Sequence, residues 1–132
     1  MSKPPFQLAR IDHVVLRVRD TEAMQRFYCE VLGCREERRQ DEIGLVQLRA
    51  GDSLIDLVAL DSKLGRLGGA GPGEQGHNMD HLCLQVENYD EAAIVAHPRR
   101  MACAWGTSVR AMGRRARGRR STCMTRRGTW WS

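Results

Sequence analysis

A chain of 132 residues, 42% of them hydrophobic, is long enough for one domain or for two half-domains sharing a core. No run approaches the roughly 18 apolar residues of a membrane helix, and Met1-Ser2-Lys3-Pro4-Pro5 is not followed by the apolar stretch of a secretory signal. Five cysteines, an odd number with no C-x-x-C pair, argue against a zinc-finger or redox framework and for reduced thiols in a cytoplasmic protein.

In chain order, residues 1–9 form a Pro-containing lead-in. Ile11–Val18 is rich in β-branched residues and Leu, and reads as a strand. Asp20-Thr21-Glu22 is a helix start, a side-chain cap followed by an acid in the first turn. Ala23, Met24, Phe27, Tyr28, Val31 and Leu32 then fall on one stripe of an amphipathic helix. Gly33 is a suitable stop, because it tolerates positive φ. Glu36–Gln40 is a polar strand, Ile43–Arg49 a second, and Leu54–Leu60 a third that is apolar except for Asp56. The order is strand, helix, strand, strand, strand, filling residues 8–61.

Residues 62–78 read as a linker, with Gly at 65, 68, 69, 71, 73 and 76. The stretch lacks the Gly-Lys-Ser/Thr ending of a phosphate loop. The opening pattern then returns. Ile11-Asp12-His13-Val14-Val15-Leu16-Arg17-Val18 and Met79-Asp80-His81-Leu82-Cys83-Leu84-Gln85-Val86 both read apolar-Asp-His-apolar-x-Leu-x-Val. A helix capped by Asn88 or Asp90 is expected through Val95, stopping near His97-Pro98. Residues 79–96 are thus the start of a second unit.

His13, Asp56 and His81 are the candidates for chemistry. Alternation along the third strand puts Leu54, Asp56, Val58 and Leu60 on one face. A carboxylate in so apolar a strand is either exposed at a sheet edge or faces a partner, because burying it alone costs several kcal/mol. Two histidines and a carboxylate are a common set for a divalent metal, and the repeat places the histidines equivalently. The competing reading has each histidine simply bonded to a neighbour. His77, four residues before His81 on an extended segment, lies about 13 Å from it and reads as a loop residue.

Ile-Asp-His-Val-Val-Leu-Arg-Val at 11–18, the helix end Phe27-Tyr28-Cys29-Glu30-Val31-Leu32-Gly33, and the Asp-His-Leu restart at 80–82 resemble the vicinal oxygen chelate (VOC) superfamily of glyoxalase I, bleomycin- and fosfomycin-resistance proteins and extradiol dioxygenases. The resemblance covers roughly residues 8–96. It implies an α+β fold of paired βαβββ modules around a divalent metal ion (Zn, Ni, Co, Mn or Fe), a small-molecule substrate, and a homodimer. Three of the four glyoxalase I metal-ligand positions fall on His13, Asp56 and His81. The fourth, a glutamate on the last strand, has no counterpart, so a catalytic residue is not assigned. The implied activity is a glyoxalase I-like lyase or isomerase working through a metal-stabilised enediolate, or an inactive relative of one. The alternatives are an Fe(II) extradiol dioxygenase and a metal-free drug-binding protein of the bleomycin-resistance type.

Residues 97–132 differ from everything before them. The net charge of +5 hides an asymmetry: all 16 acids lie between Asp12 and Glu91, while residues 97–132 hold ten Arg, all three Trp and no acid. So abrupt a break marks a boundary. One reading is a basic arm for nucleic acid. The preferred reading is a frameshifted translation. Joining the third base of each codon to the first two of the next forces Asp at Met124/Thr125, Val at Trp130/Trp131, and Gly at Met101/Ala102, Trp105/Gly106 and Met112/Gly113. With permitted codons, Arg120–Ser132 becomes Ile/Leu-Tyr-Leu-Tyr-Asp-Pro-Glu-Gly-Asn-Val-Val-Glu, which is similar to the superfamily's last strand and carries its glutamate. On this reading the slip begins near His97-Pro98, the second module is incomplete, and residues 97–132 are disordered or poorly packed, with no periodicity for strands. Nucleic-acid and membrane partners are then not expected.

Overall fold

The computed structural model describes residues 3–73, 75–77, 79, 82–88, 90–100, 114–116 and 119–123. The first unit runs β1 (His13–Val18), α1 (Thr21–Arg26), β2 (Arg35–Gln40), β3 (Leu45–Ala50) and β4 (Ser53–Ala59), the expected βαβββ order. Its four strands form one sheet in the order β1-β4-β3-β2. β1 runs parallel to β4, as the intervening crossover requires; the other pairs are antiparallel.

Local chemistry accounts for the element ends. Asp20 caps α1, its Oδ1 accepting from the Ala23 N–H at 2.8 Å. Phe27–Val31 continue the helix as one wide π-helical turn, which ends where Gly33 takes φ 75°. The turn is invisible to i, i+3, i+4 spacing, because it keeps Tyr28 and Val31 on the buried side.

Residues paired across a sheet share a face, so the register sorts the side chains. Leu16, Val18, Val46, Leu48, Ile55 and Leu57 lie on the face beneath α1 and form the core with Met24 and Tyr28. Leu57 sits at the centre of β4 with 0% exposure. Leu57→Ala is expected to cost about 2–5 kcal/mol, through lost burial and the cavity left behind. Urea unfolding of the two proteins checks this, and a loss below about 1 kcal/mol would contradict the packing described.

Before the Arg-rich strands, three elements differ from the sequence-based expectation. Residues 62–78 contain a short helix, α2 (Lys63–Leu67). Ser62 starts it, accepting from the Gly65 N–H at 3.1 Å, and a Cβ at Gly65 would collide with the Ala59 carbonyl. Composition reads these glycines as flexibility, whereas Gly65 is needed for close approach. The second unit's strand, β5 (Cys83–Gln85), is shorter than Met79–Val86, although Met79 and Leu82 pack against the first unit's core. Finally, α3 (Glu91–Arg100) passes through His97-Pro98. Pro98 has no N–H to donate within the helix, but His97 Nε2 lies 2.9 Å from the Val31 carbonyl and ties this turn to the first unit.

The Arg-rich segment was expected to have no strands, yet two short ones occur there: β6 (Arg114–Ala116) and β7 (Arg119–Cys123). They form a second sheet in the order β5-β7-β6, antiparallel throughout. An antiparallel ladder is made by backbone groups, so like charge along a strand weakens it without forbidding it. Among the described residues no helix is long and apolar enough to cross a membrane.

Candidate functional site

The face of the first sheet turned away from α1 carries three cross-strand rows. His13 pairs with Leu54, and Leu54 with Arg49. Val15 pairs with Asp56, and Asp56 with Gln47. Arg17 pairs with Val58, and Val58 with Leu45. The last row is covered by the connector. The Arg17 guanidinium donates to the carbonyls of Gly65, Gly69 and Ala70 at 3.0–3.3 Å, and Arg19 donates to Pro72 at 3.2 Å. The first row is open, with His13 exposed. Asp56 lies between the covered and open ends.

Asp56 is buried, only 4% exposed, on the second strand of the sheet. This decides between the two expectations for it: Asp56 is not an exposed edge residue. Its Oδ2 accepts from Gln47 Nε2 at 3.0 Å. Its Oδ1 is buried with no hydrogen-bond partner among the described residues. An unsatisfied buried carboxylate oxygen is costly, and native folds retain one where a water, an ion or a ligand can meet it.

His13 is bonded to its neighbour, as the competing reading held, with Nδ1 3.0 Å from Asp12 Oδ2. That bond, more than the charge of Asp56, raises the His13 pKa above its ordinary value. The same hydrogen bond holds Asp12 below the usual carboxylate range. A carboxylate on Nδ1 fixes the tautomer and leaves Nε2 as the ring's free donor atom, the usual arrangement for a metal-binding histidine. The bland reading and the functional one are therefore compatible for His13.

His81 lies outside the described residues, so its meeting with His13 and Asp56 is not described. Among the described residues no group of three or more His, Cys, Asp or Glu side chains is assembled for a metal. His77 is exposed on the connector.

Sequence reasoning missed two residues of this arrangement. Gln47 holds the one satisfied oxygen of Asp56; it is the lone polar residue within Leu45–Leu48, which was a signal of the same kind as Asp56 itself. Asp12 orients His13, and the Asp-His pair occurs in both copies of the repeat.

The family model for the Glyoxalase/Bleomycin resistance protein/Dioxygenase superfamily matches residues 10–131. The chain belongs to this superfamily. The matched range extends the resemblance beyond residue 96, across the Arg-rich segment. Solved structures agree on the VOC fold. An integron cassette protein from the mobile metagenome of V. cholerae superposes with a TM-score of 0.60 at 18% identity, covering 89% of this chain and 86% of that one. A virulence protein from Salmonella typhimurium gives 0.57 at 21% identity, covering 87% and 84%. Among curated proteins, the VOC chain is 25% identical over 97 residues to mitochondrial methylmalonyl-CoA epimerase of Mus musculus. The match covers 70% of this chain and 54% of the epimerase, so the chain spans about half the length of that relative.

Proposed function

We propose that this VOC chain is a metal-dependent enzyme that moves a proton at a carbon next to a carbonyl group of a small molecule, with His13, Asp56 and His81 holding the metal. The observation that carries the reading is the buried, unpartnered Oδ1 of Asp56 on the same face as His13. The donor set fits: a carboxylate oxygen needing a partner, and an imidazole whose Nδ1 is already engaged. When bound, a divalent ion there supplies Lewis-acid polarisation of a carbonyl oxygen.

The chain's own residues do the rest. Gln47 fixes the Asp56 carboxylate in one orientation, and Asp12 fixes the His13 ring. The connector, pinned by Arg17 and Arg19, closes one end of the face and leaves the His13 end for entry. Glyoxalase I-like isomerisation is the form of this chemistry that the sequence resemblance favours. Epimerisation of an acyl thioester is a second form, supported by the similarity to methylmalonyl-CoA epimerase.

Titration of the chelator-stripped chain with Co(II), followed by its visible absorption, tests the reading. Saturable binding is expected. His13→Ala should weaken it at least tenfold, and His77→Ala should leave it unchanged. Equal binding by the wild-type and His13→Ala proteins would refute the assignment.

A further inference from the structure

The edge strand β2 carries Arg35, Glu36, Glu37, Arg38 and Arg39, and simple alternation would put Arg38 on the α1 face with Glu36. The observed register does not alternate simply. Glu36 pairs with Leu48, but Arg38 pairs with Gln47, so Glu37 is an extra residue in a β-bulge. A bulge re-aims the side chains that follow it, and bulges are enriched beside functional sites. Here the consequence is definite: Arg38 joins the row Gln47, Asp56, Val15 on the face carrying the candidate site.

Two neighbouring arginines on β2 and β3 are already satisfied, whereas Arg35, in the row of Arg49, has no hydrogen bond or ion pair among the described residues. Arg39, on the α1 face, is bonded to Glu36 at 2.9 Å and to Gln25 at 2.6 Å. Arg49 is bonded to Glu37 at 2.9 Å. Arg38 has no hydrogen bond or ion pair among the described residues and is exposed. Its Cα stands two strands from that of Asp56, about 10 Å away. Between them lies Gln47, and next to Gln47 the unpartnered Asp56 Oδ1. One row thus has a free guanidinium at its rim and an unsatisfied carboxylate at its floor.

We propose that Arg38 is an anion-binding residue of the site. It holds a carboxylate or phosphate group of the small-molecule ligand at the rim, so that the ligand's reacting end reaches Asp56 and His13. The planar guanidinium suits such a group because it can donate two parallel N–H bonds to it. The proposal rests on the preceding reading only in placing the reacting end at Asp56 and His13.

The test uses the full chain, ¹⁵N-labelled, titrated in separate arms with malonate and with inorganic phosphate in the presence of EDTA. At least one of the two is expected to shift the Arg38 Nε–H and Gln47 side-chain amide resonances. Arg38→Gln should weaken that binding about tenfold or more, whereas Arg39→Gln, the same charge change on the other face, should not. The arm most affected by Arg38→Gln identifies the group as carboxylate or phosphate. All three proteins share the Arg-rich segment, so its background binding cancels. Equal weakening by Arg39→Gln would reduce the effect to net charge and overturn the proposal, as would unchanged binding in Arg38→Gln. Anion binding lost in Arg38→Gln while Co(II) fails to bind would uphold the subsite and refute the metal reading. Co(II) binding together with anion binding indifferent to Arg38 would do the reverse.

Discussion

Replacing Asp56 with Val is expected to abolish divalent-metal binding and to raise the stability of the metal-free chain by about 1–2 kcal/mol. The two effects share one cause. Asp56 is buried in an apolar strand with one oxygen on Gln47 and the other unpartnered. Its desolvation is therefore only half compensated, and a β-branched side chain suits the pleated sheet between β1 and β3 better. Gln47 loses its partner in the variant, but it is only half-buried and can turn to water. Urea unfolding in EDTA measures the stability arm, and Co(II) titration the binding arm. Asp56→Asn keeps the shape and an acceptor for Gln47, and should lose binding with little change in stability. If Asp56→Val is instead destabilised by several kcal/mol in EDTA, the carboxylate is a structural residue and the metal assignment loses its main support.

The same residue shows what a single sequence can reveal. Alternation along β4 placed Leu54, Asp56 and Val58 on one face, as the register has it, and Asp56 was conspicuous there as the lone acid of an apolar strand. The pattern could not show where the sheet edge lies, so exposed and buried readings of Asp56 stayed open until β4 was found between β1 and β3. β2 was legible as a polar strand, but its edge position and its bulge were not. Insertion of Glu37 depends on the partner strand's register, and no composition signal marks it. α2 was missed because glycines at 65 and 68 look like linker, whereas they make room for the Ala59 carbonyl and the Arg17 side chain. The repeated Asp-His motif announced both units, but how His81 meets the first unit lies outside the described residues.

The second large effect is expected from the reading frame. Inserting one base near the His97 codon should produce a chain that unfolds more cooperatively, at a higher temperature, and that binds Co(II) more tightly than the 132-residue chain. β7 (Arg119–Cys123) pairs with β5, so the fold does use a strand at this point in the chain. In the present frame that strand is Arg-Arg-Ser-Thr-Cys, within a segment of ten Arg and no acid. Adjacent like charges repel across an antiparallel pair. In the shifted frame, residues 120–124 become Ile/Leu-Tyr-Leu-Tyr-Asp. That run has the aromatic and branched side chains that strands favour, and it leads to a glutamate at the position of Trp131/Ser132. That glutamate would add an oxygen donor to His13, Asp56 and His81, completing the four ligand positions of the glyoxalase I pattern. Calorimetry and Co(II) titration of the two chains side by side provide the comparison, and sequencing the DNA across codons 94–100 shows directly whether a base is missing. If the base-restored chain melts no higher and binds no tighter, the Arg-rich segment is a selected part of this protein and must be explained in its own frame.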